Sequence, residues 1–348
     1  MMTKIGKYLE SCPGQGVFPG ASWLIGNCEG FLEKGSVGVL GNGLGPVEED
    51  SIYDMASLTK IFVSLALMKQ FEDGLVRLDD TSEYFLPSFK DSPLAAVTIF
   101  ELMTHTAPIP GGINRYRYAK SREELLESIR SGPTRSDGGE KVIYTCEAYM
   151  LLGEIVSAID SAGLDEVVRR RVIDALGMKI TGYKPAPGLF PRIAPTEDCP
   201  WRGKVVRGQV HDENAVIMGE VSGNAGIFSC AEDMALIGKA MLASLEKSDF
   251  LKKASAELMT RNHTAGKGEN RGLGWMLKTP GNSAGDLLSA ESFGHTGFTG
   301  TSLWIDPKRK FYAILLTNRV HPKRNNTKLF RSRHIFHNLA VLEYGADQ

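Results

Sequence analysis

Strand-forming segments lie at both ends of this 348-residue chain and helix-forming segments fill its middle, and that layout restricts the fold more than any other feature. GASWLIG (20–26) and FLEKGSVGVL (31–40) read as two β-rich runs joined at Cys28-Glu29-Gly30, a hairpin signal. Near the other end RGLGWML (271–277), ESFGHTGF (291–298), TSLWID (301–306) and KFYAILLTN (310–318) are again β-rich, with a turn at Asp306-Pro307. Between them TIFELMTH (98–105), REELLESIR (122–130), EAYMLLGEIVSAID (147–160), DEVVRRRVIDALGM (165–178) and AEDMALIGKAMLAS (231–244) carry apolar residues at helical spacing. Helices over 3–11 and about 327–345 close the two ends. This is not the βαβ alternation of a parallel sheet. The expected class is α+β: an antiparallel sheet flanked by helices, built from both termini, with a helical insertion domain. Residues 1–79 and 205–348 would form the sheet domain and 80–204 the mainly helical one, with any functional site expected in the cleft between them.

Charge narrows the partners. Lys plus Arg (40) nearly equals Asp plus Glu (41), a net charge of −1. That balance offers no electrostatic footprint for nucleic acid or an anionic membrane, so a small-molecule substrate is expected, with the oligomeric state left open. No apolar run reaches the roughly 18 residues that span a bilayer. MMTKIGKYLESCPGQG lacks the apolar core of a secretory signal, which predicts a cytoplasmic protein. The five cysteines (12, 28, 146, 199 and 230) are odd in number and scattered, which suits reduced thiols in that compartment.

Three serines compete as nucleophiles. Ser283 sits in GNSAG, a match to the G-x-S-x-G elbow. That elbow needs a buried strand before the serine and a helix after it. Lys278-Thr279-Pro280 precedes it and no helix of useful length follows, so a flexible Gly/Ser loop is the better reading. Ser244-Leu245-Glu246-Lys247 matches S-x-x-K, but it runs into the charged EKSDFLKK and reads as a solvated turn. Ser57-Leu58-Thr59-Lys60 matches S-x-x-K at the start of a strongly amphipathic helix ending before Gly74. Ser57, Lys60 and Ser64 share its polar stripe. A serine in a first helical turn places its own N–H at the positive end of the macrodipole, where an oxyanion is stabilised. A lysine one turn on can take the hydroxyl proton if its pKa is lowered. An N-cap serine beside a solvent-facing lysine is the plain alternative.

Further pieces stand in a telling order. Tyr144 precedes a helix in VIYTCEAYMLLGEIV, and His295-Thr296-Gly297 lies in a late strand. With SLTK, and with LMTHTAPIPGG, ALGM, VHDENA, GNAGIFSCAEDMA and LLTNRVHP around them, the chain resembles the β-lactamase-related serine hydrolases over roughly 18–325. That superfamily includes class C β-lactamases, penicillin-binding proteins and family VIII carboxylesterases. The resemblance implies a β-lactamase/transpeptidase-like fold, Ser57 as acylated nucleophile, Lys60 as its activating partner and Tyr144 as proton shuttle. It also implies an oxyanion hole from the backbone N–H groups of Ser57 and Phe298, and substrate contacts from Cys146, His295, Thr296 and Gly297. It implies neither cofactor nor metal.

Two positions depart from the pattern. Tyr-x-Asn is Tyr144-Thr145-Cys146 here, and a thiol replaces poorly an amide that both donates and accepts. The third motif usually starts with Lys, and His295 is mostly neutral near pH 7. Both changes weaken recognition of carboxylate-bearing substrates, so ester cleavage is expected first. β-Lactam or D-amino-acid peptide cleavage is the second choice, and a non-catalytic ligand- or partner-binding relative is the choice from another class. His211-Asp212-Glu213 suggests a hydrogen-bonded loop rather than a metal site, since adjacent residues rarely converge on one ion. His105 is expected to serve a turn, Cys146 is a weak rival nucleophile, and KRNNTKLFRSRH (323–334) reads as a solvated basic helix face.

Overall fold

A computed structural model describes residues 2–345 of the chain. Its strands are β1 (Gly20–Gly26), β2 (Phe31–Gly38), β3 (Tyr53–Asp54), β4 (Gly182–Tyr183), β5 (Asp198–Cys199), β6 (Lys204–Val205), β7 (Ile227–Ser229), β8 (Met276–Leu277), β9 (Phe293–Thr296), β10 (Ser302–Asp306) and β11 (Phe311–Thr317). Six of them form one antiparallel sheet in the order β2-β1-β11-β10-β9-β8. The N-terminal hairpin thus docks beside the last strand, with Ala21 opposite Thr317 and Ile25 opposite Ala313.

Strand β11 sits at the centre because its sequence is apolar on both faces. Phe311, Ala313 and Leu315 pack towards the two terminal helices, Lys4–Gly14 and Lys328–Tyr344, with Trp23, Trp304 and Phe336. Tyr312, Ile314 and Leu316 point the other way into the main core. The two-residue repeat of a strand divides the side chains in this way, and each fully buried large apolar side chain contributes about 1.5–3 kcal/mol. The main core is continuous, running from Leu24 and Leu316 of the sheet to Leu102, Met150 and Leu152 of the helical part. The end of that part is also tied back: Ala194 N–H donates to Ile52 O at 2.8 Å, and Asn318 Nδ2 to Pro195 O at 3.1 Å.

The helix after SLTK runs Thr59–Glu72, preceded by a 3₁₀ turn over Ala56–Leu58 and closed by Gly74 at φ +73°. It is not amphipathic. Every residue from Thr59 to Met68 is buried, because the helix is enclosed by the six-stranded sheet and the helix Cys146–Asp160. Its polar residues are therefore internal: Ser64 Oγ pairs with Tyr149 Oη at 3.0 Å. The RGLGWML strand shrinks to Met276–Leu277, since Gly274 turns the chain at φ +82°. The final helix is not a solvated basic face either. Leu329, Arg333 and His337 are buried beneath it against the sheet. Ser244 lies sealed inside the helix Ala231–Lys247, where its Oγ accepts the Leu251 N–H at 3.0 Å, rather than on a solvated turn. No helix among the described residues is long and apolar enough to cross a membrane, and all five cysteines are free thiols.

Candidate active site

The nucleophile candidate sits on a short, held segment. Strand β3 pairs with β7, so Asp54 faces Phe228 just ahead of the turn that carries Ser57. Ala56 adopts φ +46°, a left-handed conformation unusual for alanine, and its N–H donates to Asp54 Oδ1 at 2.8 Å. Oδ2 of the same carboxylate accepts the His211 N–H at 2.6 Å. Burial pushes the Asp54 pKa up against these donors.

Lys60 and Tyr144 converge on Ser57. Lys60 is fully buried, and its Nζ donates to Ser57 Oγ and to Asn224 O, both at 2.9 Å. Burial acts to lower the Lys60 pKa, but the Tyr144 oxygen and the Cys146 sulfur act upward and prevail, leaving it above the ordinary lysine value. The lowering that would make Lys60 a free-amine base is therefore not what its surroundings produce. Tyr144 Oη lies 2.6 Å from Ser57 Oγ, while its ring lies 5.0 Å below Lys60 Nζ.

His105 braces that tyrosine. It ends the helix Ile99–Thr104 in the left-handed conformation, φ +58°. Its carbonyl accepts the Ile143 N–H at 2.9 Å, its Nδ1 accepts the Thr145 N–H at 3.4 Å, and its ring lies 4.6 Å from that of Tyr144. Burial, then the Arg271 and Lys60 cations, hold its pKa well below the usual histidine value.

The opposite wall is strand β9 and the turn after it. His295 is buried and bonded through Nδ1 to the Thr296 main chain at 2.9 Å. Burial first, then Arg271 and Lys60, push its pKa well below 6.5, so it is neutral at pH 7. Thr299 Oγ1 donates to Asp54 O at 2.7 Å and Thr301 Oγ1 to Met55 O at 3.1 Å, stitching this turn to the Ser57 segment. The approach is so close that a Cβ on Gly297 would meet Met55 O at 2.5 Å. Among the described residues neither the Ser57 N–H nor the Phe298 N–H has a protein acceptor.

Cys146 opens the helix Cys146–Asp160. Burial pushes its thiol up to about 11, which keeps it protonated and a poor nucleophile. The Asn224 side chain lies beside it. Ser222 Oγ donates to Asn224 Oδ1 at 2.7 Å, while the buried Nδ2 is without a partner.

Sequence reasoning missed the cations. A cleft of about 260 Å³ runs past Ser57, Tyr144 and His295 and is also lined by Arg271, Arg319 and Arg333. Arg271 stands 5.4 Å over the Tyr144 ring. Arg333, only 4 % exposed, donates to Thr301 O at 3.2 Å but leaves its Nε without a partner. Burial, reinforced by Arg319, pulls the Arg333 pKa down to about 9. A helical repeat identifies a buried face, but nothing local distinguishes an arginine that turns into a cleft from one that turns to water.

The remaining candidates lie elsewhere. Ser283 is half-buried beside Ala284 of the second core, under the terminal helices. Its Oγ accepts the Trp304 Nε1 proton at 3.2 Å and its carbonyl bonds to His337 Nδ1 at 2.6 Å, so the loop is anchored. Glu197, Cys199 and Glu213 offer ligand atoms within 4.8 Å of one another. Arg324 fills that role instead, donating to Glu197 at 2.6 Å and to Glu213 at 2.5 Å. Burial acts upward on Glu197, yet His211 and Arg324 hold its pKa down to about 2.

Comparison with known proteins agrees with the fold. The profile of the family described as Beta-lactamase matches residues 5–336. A Salmonella typhi protein named "Putative D-alanyl-D-alanine carboxypeptidase" is 32% identical over 316 residues, covering 80% of this chain and 72% of that one. Among solved structures, EstCE1, a hydrolase with promiscuous acyltransferase activity, superposes with a TM-score of 0.76 at 18% identity over 95% of this chain and 97% of its own. A class C β-lactamase from Rhodobacter sphaeroides gives 0.74 at 18% identity over 96% and 99%.

Proposed function

The chain belongs to the β-lactamase family and is a hydrolytic enzyme of it, and from that premise we propose that it cleaves small carboxylic esters through an acyl-enzyme on Ser57. The observation that carries the reading is the convergence of Lys60 Nζ (2.9 Å) and Tyr144 Oη (2.6 Å) on Ser57 Oγ. Lys60 and Tyr144 are the two groups within reach of the Ser57 proton, Lys60 as the activating partner and Tyr144 as the proton shuttle. Ser57 Oγ attacks the ester carbon as its proton passes into the Lys60–Tyr144 pair, which enters the step one proton short of ammonium plus phenol. The carbonyl oxygen takes up the electron pair and is met by the N–H groups of Ser57 and Phe298. Collapse expels the alcohol, which leaves with the proton from Tyr144. Water, deprotonated by Tyr144 in turn, releases the acid and restores Ser57. His295, Thr296 and Gly297 form the wall along which the substrate lies, with Cys146 beneath.

A second reading, cleavage of a β-lactam or a D-alanine-terminated peptide, is favoured by one observation. Arg333 lines the cleft with a buried guanidinium, and Arg271 is on the same wall. These cations offer a substrate carboxylate the charge that a neutral His295 does not. The name of the Salmonella relative points the same way.

Turnover of a p-nitrophenyl ester by wild type and Ser57→Ala tests the reading, and activity that survives the substitution overturns it. A chromogenic cephalosporin and a D-Ala-D-Ala peptide, run in parallel, rank the two substrate classes. A fluorophosphonate probe that fails to label Ser57 would favour a non-catalytic binding protein.

A further inference from the structure

In the mechanism above Phe298 acts only through its N–H, and its side chain is left without a task. That N–H lies one residue from Gly297 and two from Gly300, which adopts φ +120°. A glycine-flanked peptide has soft dihedrals and does not by itself hold a donor in one direction.

The Phe298 ring is 48 % exposed, yet it has defined partners on the cleft wall. The His211 imidazole stacks with it, centroids 5.5 Å apart and planes 27° from parallel. The Arg319 guanidinium lies 4.8 Å from its centroid and 5.2 Å from that of Phe330. Both ends of this row are anchored. His211 donates its N–H to Asp54 and pairs its ring with Glu197 at 3.3 Å. Arg319 donates to Arg324 O at 3.2 Å and Asn326 O at 2.5 Å. Asp54 also holds the N–H of Ala56, next to Ser57, so one buried carboxylate ties down both sides of the oxyanion hole.

We propose that the row His211–Phe298–Arg319–Phe330 orients the Phe298 N–H towards the reacting carbonyl, and that Arg319 is a positioning residue which acts through the Phe298 ring. The inference rests on the Ser57 acyl-enzyme reading. A cation over an aromatic face and a planar group stacked on the same ring both resist its rotation. A ring held by His211 and Arg319 fixes the Cα–Cβ direction of residue 298, which restricts the backbone dihedrals that aim its N–H, and small misplacements of an oxyanion donor are costly.

Phe298→Leu keeps the N–H and removes the ring. Arg319→Met keeps an aliphatic stem and removes the planar cation. Each is expected to lower kcat for a p-nitrophenyl ester about 10- to 100-fold, with KM changed by less than about three-fold. Fluorophosphonate labelling of Ser57 slows in parallel. The double variant is no slower than the slower single one, because both remove the same stack. Phe298→Tyr, which keeps the stack, is faster than Phe298→Leu. Unchanged kcat, a loss confined to KM, or losses that multiply in the double variant overturn the proposal. If Arg319→Met does not fold, the Leu and Tyr variants of the exposed Phe298 decide alone. Ester turnover surviving in Ser57→Ala would instead remove the underlying reading. A dead Ser57→Ala alongside a Phe298→Leu of wild-type kcat removes only this inference.

Discussion

The phenolic oxygen of Tyr144 lies 2.6 Å from Ser57 Oγ, although 87 residues separate the two in sequence. Tyr144→Phe removes that oxygen and keeps the ring against His105. Steady-state ester kinetics are expected to show kcat reduced about 10²- to 10⁴-fold, the usual contribution of a positioned acid–base group. The thermal midpoint should stay near that of wild type, because Tyr144 is partly exposed and its ring packing survives.

Ser283→Ala is expected to leave ester turnover within a few-fold of wild type, as Ser283 lies against Trp304 and outside the lining of the cleft. Denaturant unfolding should show a loss of about 1 kcal/mol, the net worth of one neutral hydrogen bond. Abolished turnover in a folded Ser283→Ala protein would refute the site assignment.

Cys146→Asn places an amide oxygen beside the unpartnered Asn224 Nδ2 and an amide N–H₂ near the cleft. A hydrogen bond gained by an amide substrate but not by an ester is worth about 1 kcal/mol. The ratio of D-Ala-D-Ala peptide to p-nitrophenyl ester turnover should therefore rise about five- to ten-fold.

Arg333→Met should raise KM for a carboxylate-bearing peptide about ten-fold or more, since charged hydrogen bonds contribute roughly 1.5–3 kcal/mol. The effect on a neutral ester should be smaller. Equal effects on both would remove the carboxylate role.

Stability should fall with acid through the buried histidines. Burial holds His337 down to about 3, against an unfolded value near 6.5. Its neutral form is favoured in the folded state, so the contribution is complete above about pH 6.5 and is lost as pH falls towards 3. Each such histidine adds a slope of up to about 1.4 kcal/mol per pH unit in that window. His105 and His295 shift in the same direction. Denaturant unfolding of His337→Gln between pH 7 and 4 should show a shallower slope than wild type.

Much of this protein is legible in its residues alone. The β-rich runs at both ends of the chain, KFYAILLTN among them, point to an antiparallel sheet made from both ends, and helical spacing locates the helix REELLESIR at Arg122–Arg130. These patterns record local geometry, because strand and helix repeats determine which side chains share a face. The S-x-x-K spacing is local too, so Ser57 and Lys60 could be paired before any fold was known. Strands β3 and β7, only two and three residues long, leave no periodic trace, yet they support the Ser57 turn.

Tertiary packing decided the rest. The helix after SLTK reads as amphipathic but is enclosed on every side, which turns Lys60 from a surface cation into a buried partner of Ser57 and Tyr144. Arg333, on a helix that reads as solvated, turns into the cleft, and Ser283, in a pentapeptide that reads as a nucleophile's, packs beneath Trp304. The difference has one physical cause. Burial of a face is written in neighbouring residues, whereas the charge, pKa and reach of a side chain depend on groups that only long-range packing brings beside it.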